Sequence, residues 1–105
     1  MDMSSIMKQA QQMQEKMARI QEDLAKTVIT GSAGGGMVQA RVTGLGEVIS
    51  VTLEKQLINP DEAELLQDLI TAALNDGLRK AREASKQAMG QLTHGVNIPG
   101  LTNLI

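Results

Sequence analysis

At 105 residues, with no aromatic residue and no cysteine, the chain must build its core from Met, Leu, Ile, Val and Ala, and it has no thiol or disulfide chemistry. The length fits a single domain, residues 1–105, whose thin core favours association with a second copy. Twelve acids against ten Lys and Arg leave a net charge of −2, so any attraction to a polyanion has to come from local clustering.

The first predicted element is a helix over 3–26. Met3, Ile6, Ala10, Met13, Met17, Ile20, Leu24 and Thr27 recur at alternating steps of three and four, the seam of an amphipathic helix about 36 Å long. Gln9, Gln11, Gln12 and Gln14 fill the opposite face with charged residues. Glu15–Arg19 and Glu22–Lys26 are expected i,i+4 ion pairs. The period then changes to two. β-Branched "TVIT", "MVQARVTG" and "EVISVTL", separated by "GSAGGG" and "GLG", predict a three-stranded antiparallel meander over 27–54. In the third strand Ile49, Val51 and Leu53 are expected on one face, with Val48, Ser50 and Thr52 on the other.

"INPDEAELL" starts a second helix, predicted over 60–90, with Asn59 as N-cap, Pro60 at the first position and Glu62 completing a capping-box variant. Its stripe of Leu66, Ile70, Ala73, Gly77, Ala81, Ala84 and Ala88 starts bulky and ends small. The bulky end is expected to cover the sheet and the small end to admit the methionines of the first helix. Residues 91–105 read as a tail. The fold class is therefore α+β: an α-β-β-β-α protomer with a three-stranded sheet. Its helices outrun strands of about 17–20 Å and so project beyond them.

Reactive chemistry finds no footing. The single histidine, His94, has no neighbouring ligand types, and one His makes no metal site. "GSAGGGMV" lacks the Gly-Lys-Ser/Thr of a phosphate loop and leads into a strand. The acids of "DEAELLQD" are explained by the positive end of the helix dipole. The sequence implies no catalytic residue, cofactor, metal or small-molecule substrate, hence no enzyme. Nor does any run approach the ~20 apolar residues of a membrane span, and the N-terminus lacks the apolar stretch of a signal peptide. Cysteine-free composition suits the cytoplasm.

Charge is more informative. Arg79, Arg82 and Lys86 fall within about 60° on the second helix, and Lys80 flanks them. Residues 79–86 hold four bases and one acid, while 61–68 hold four acids, which predicts a basic projecting arm and an acidic sheet end. Lys8 and Lys16 on the first helix are expected beside this arm, their i,i+4 neighbours being Gln12 and Ile20. Such a basic run is usually a solvated face, but if nucleic acid is the ligand the composition narrows the mode. Single strands are commonly gripped by stacking on aromatic rings, which are missing here, so double-stranded DNA contacted mainly through its backbone fits better.

"MKQAQQMQEKM" (7–17), the Gly-interrupted meander and "LNDGLRKAREASKQAM" (74–89) resemble the YbaB/EbfC family of bacterial nucleoid-associated proteins. The similarity runs from Met7 to about Pro99, and is most specific in "MKQAQQMQ" and "AALNDGLRKA" (72–81). This resemblance implies a tweezer-like homodimer whose long helices bind DNA and help to organise the nucleoid, with effects on gene expression. Family contacts attributed to the two helices would fall here on the Lys8/Lys16 region and the Arg79–Lys86 stripe. The Gly-rich, Phe-containing segment of some relatives is replaced by "MDMSSI". The competing reading is a prefoldin-like scaffold that holds other proteins with its helical arms. Whether the helices pair within a chain or across a dimer stays open.

Overall fold

The structure, a computed structural model, describes residues 2–94. The elements run α1 (Met3–Lys26), β1 (Val28–Ala33), β2 (Val38–Thr43), β3 (Val48–Leu53) and α2 (Ala63–His94). All three strands pair antiparallel in the order β1-β2-β3. The α-β-β-β-α, α+β architecture is that expected from the alternating periods. Its helices outrun the sheet, and the described chain measures 70 × 26 × 16 Å.

Period-two alternation places Val38, Ala40 and Val42 of the central strand on one face, all fully buried under α2. Burying each of the two valines contributes about 1.5–3 kcal/mol. Ala73 and Ala81 of α2 meet this face, and Leu53, Leu57, Leu69, Ile70 and Leu74 pack around it. Cross-strand partners Thr30–Arg41–Ser50 and Ser32–Gln39–Thr52 form the other, hydroxyl-rich face. The tight β1–β2 connection requires positive φ at Gly34, Gly35 and Gly36 in succession, conformations that cost any residue with a Cβ.

Between sheet and helix the approach is closest at two glycines. A Cβ on Gly31 would lie against Ala73 O and Gly77 N, and 2.6 Å from Gly77 Cα. The small residues of α2 therefore admit a strand, where the sequence pattern pointed to a helix. Near the other end of the sheet, Gly44 N–H donates to Leu24 O (2.9 Å) and Thr27 O (3.1 Å). These bonds join the last turn of α1 to the β2–β3 connection, and Leu24 is buried there.

Several expectations need correction. Asn59 accepts from Asp61 N–H as predicted, but it caps a 3-10 turn, Pro60–Glu62, and α2 proper begins at Ala63. No side-chain bond from Glu62 returns to Asn59 among the described residues, so the capping box is only half formed. α2 continues through Gly90 to His94, because Gln91 and Leu92 are competent helix formers and no proline intervenes. The predicted tail thus starts later, and its residues 95–105 lie outside the described residues. A register shift between Arg41 and Val42 pairs Val48 with Val42 and leaves Ile49 as the extra residue, so Val48 does not share the face of Ser50 and Thr52. Neither Glu15–Arg19 nor Glu22–Lys26 closes as an ion pair; at exposed positions the pair gains too little to fix two long side chains.

The seam of α1 is buried only at its sheet end. Met3, Ile6, Met7 and Met17 are exposed, Met13 and Ile20 half-buried and Leu24 buried. Methionines expected against the alanine stripe therefore remain largely uncovered within one chain, since α1 runs away from the sheet beyond Ile20.

Candidate nucleic-acid interface

The six cations singled out from the sequence fall into four settings. Arg79 and Lys80 do not stand on a projecting arm. They immediately precede the buried Ala81, and Asp76, one turn earlier, neutralises both. Arg79 Nη2 donates to Asp76 Oδ1 at 2.7 Å, and Lys80 Nζ lies 3.2 Å from Oδ2 and donates to Thr30 O at 3.3 Å. Arg79 Nη1 also reaches Glu83 Oε1 at 3.4 Å. The Asp76 carboxylate has a third partner, Ser32 N–H, which donates to Oδ2 at 3.0 Å.

This crowd of donors holds the Asp76 carboxyl at a pKa of about 2, below its ordinary 3.8, chiefly through the Ser32 amide and then Lys80 and Arg79. A carboxylate with a depressed folded pKa adds stability above its unfolded pKa. That contribution is lost as pH falls through the folded value. Acid titration of the wild type, followed by circular dichroism, is expected to show a stability loss between pH ~4 and ~2 that is flattened in Asp76→Asn.

Arg82 and Lys86 differ. They make no ion pair among the described residues. Both stand at the rim of an open groove of about 470 Å³ between α2 and the β2–β3 connection, floored by Gly44, Leu45, Leu78, Ala81 and Met89. A second open groove, of about 440 Å³, lies between α1 and α2, with Lys16, Arg19 and Asp23 beside Ile20, Leu24, Ala88 and Leu92. Together the grooves carry four cations without an ion pair among the described residues, Lys16 and Arg19 from α1 and Arg82 and Lys86 from α2. Lys8 is exposed on the outer part of α1, away from both grooves.

Sequence reasoning overlooked two residues. Arg19 was assigned to Glu15, yet it lines the inter-helix groove beside Lys16. Asp76 lies just before the basic run, and its i,i+3 and i,i+4 spacing to Arg79 and Lys80 is the signal that marks it. The described residues hold no cluster of three or more metal-ligating side chains, and no helix long and apolar enough to cross a membrane.

Residues 1–96 match the model of the YbaB/EbfC DNA-binding family. The chain belongs to the YbaB/EbfC family. That family is a DNA-binding one and not an enzyme family. Among YbaB/EbfC relatives, the chain is 63% identical over 105 residues to nucleoid-associated protein DP1429 of Desulfotalea psychrophila, covering 100% of this chain and 99% of that one. It is 53% identical over 95 residues to a nucleoid-associated protein of Syntrophobacter fumaroxidans, covering 90% and 86%. The crystal structure of the uncharacterized protein HP0035 from Helicobacter pylori has the same fold, with a TM-score of 0.79 at 28% identity over 89% of this chain and 98% of that one.

Proposed function

We propose that this YbaB/EbfC chain is a bacterial, cytoplasmic nucleoid protein that binds double-stranded DNA as a homodimer. It makes mainly backbone contacts of weak sequence specificity, helping to organise the nucleoid and through it gene expression. The observation that carries the reading is the set of unpaired cations Arg82, Lys86, Lys16 and Arg19 at the rims of two neighbouring grooves. Unpaired Lys and Arg exchange water and small ions for phosphates at little electrostatic cost. Cations already held by a carboxylate must first give that partner up. Arg82 and Lys86 are therefore primary contacts, Lys8 an outlying one, and Arg79 and Lys80 a reserve restrained by Asp76. A net charge of −2 on the whole chain keeps the affinity modest and salt-sensitive. Dimerisation is supported by the exposed Met3, Ile6, Met7, Val48, Ile49 and Val51, an unusual amount of apolar surface for a chain of this size.

A mobility-shift salt series on a duplex of mixed sequence tests it. Arg82→Ala with Lys86→Ala removes up to four contacts per dimer, so the log–log salt slope is expected to become shallower by about 3–4. Wild type that fails to bind duplex DNA even at low salt would sink the reading and favour a protein-binding role for the exposed arms.

A further inference from the structure

Three large apolar side chains left exposed have no part in the DNA contacts or the dimer surface above: Leu45 at 50%, Ile58 at 61% and Leu65 at 50%. Leu45, with Leu78, Ala81 and Met89, floors the groove whose rim carries Arg82 and Lys86. Those cations suit a phosphate backbone, which brings little that is apolar to cover the floor. Leu65 stands in the first turn of α2, with Asp61, Glu62 and Asp68 four residues before, three before and three after it. At that spacing the acids share its side of the helix. All three are exposed and none makes an ion pair among the described residues. Ile58 adds a further apolar side chain just ahead of that turn.

The two surfaces match in kind, an apolar knob edged by acids and an apolar groove edged by bases. About 25 Å of unbroken helix separates Leu65 from Arg82, so they cannot meet within one chain. We propose that the groove beside Arg82 and Lys86 receives the start of α2 from a second copy of this chain. Leu65 covers Leu45 and Leu78, while Asp61, Glu62 and Asp68 reach the two cations on the rim. The contact joins unlike surfaces and leaves the exposed seam of α1 and the exposed residues of β3 untouched. Each copy can therefore give one knob and take another, which lets dimers associate further. Knob and duplex need the same two cations. On the DNA reading above, which this step rests on, the docking masks the groove in protein free of DNA, and phosphates displace it.

The chain contains no cysteine, so introduced thiols report this contact alone. Full-length tagged Leu65→Cys mixed with untagged Leu45→Cys, oxidised mildly at low salt, is expected to give several times more mixed covalent dimer than like-with-like product. Adding Arg82→Glu and Lys86→Glu to the Leu45→Cys chain should cut that yield about tenfold. Asp61→Lys with Glu62→Lys in the Leu65→Cys chain should then restore it, a rescue that a misfolded variant could not give. A mixed yield no higher than the like-with-like product, or one that charge reversal leaves unchanged, overturns the docking. Duplex DNA of mixed sequence, added until all the protein is shifted on a gel, is expected to suppress the mixed product. A product that persists on shifted protein overturns the shared groove. A duplex that shifts nothing at low salt sinks the DNA reading alone, and the docking then stands or falls on the charge swap.

Discussion

Gly31→Ala is expected to destabilise the protein by about 3 kcal/mol, a fall of roughly 12–24 °C in melting temperature at fixed protein concentration. The new methyl would meet Ala73 O, Gly77 N and Gly77 Cα, all backbone atoms of α2. A flexible side chain could move aside, but two backbones in contact can separate only by shifting the whole helix. That shift would open the packing of Ala73 on Val38 and Ala40 as well. Gly90→Ala is the counterpart: outside the helix's own backbone, nothing among the described residues lies within 4 Å of its added Cβ. There the ordinary helical preference for Ala should raise stability by about 0.5–1 kcal/mol. Thermal melts of the two variants test the contrast. A Gly31→Ala protein that melts within a few degrees of wild type would show that α2 does not sit as close to β1 as described.

Asp76→Asn is expected to move DNA binding and stability in opposite directions. Asparagine keeps an oxygen for Ser32 N–H but loses the charge that holds Arg79 and Lys80. Two cations per chain become available to phosphates, so the salt slope should steepen by about 1–2 per chain and binding at low salt should tighten. The melting temperature should drop at neutral pH, where the wild-type carboxylate is fully ionised, and the difference should vanish toward pH 2. An unchanged salt slope would mean that DNA does not reach the Arg79–Lys80 side of α2.

Much of this architecture could be read from periodicity alone. The change from steps of three and four to steps of two at Thr27, and the return after Asn59, separates helices from strands because each period maps to one way of burying apolar atoms. What escaped was what depends on neighbours distant in sequence. Ile49 becomes a bulge only against β2, so alternation within β3 put Val48 on the wrong face. Gly77 read as a helix-packing notch, whereas its partner is Gly31, forty-six positions earlier. The basic stripe looks uniform in sequence because residues 79–86 contain a single acid, while Asp76, which pairs with two of its bases, lies one turn earlier. The structure divides it into a restrained half and an available half.

The join between Leu24 and Gly44 has a mechanical consequence. Two hydrogen bonds from one amide and one buried leucine tie α1 to the sheet, while residues 2–12 at its far end are exposed on every side. The helix is then a lever about 36 Å long with its fulcrum at Leu24. A tilt of about 5° there sweeps the tip through roughly 3 Å, close to the axial rise per phosphate of one DNA strand. If the proposed backbone binding holds, small adjustments at a glycine-lined pivot would let Lys8 follow a DNA backbone whose groove width changes with sequence.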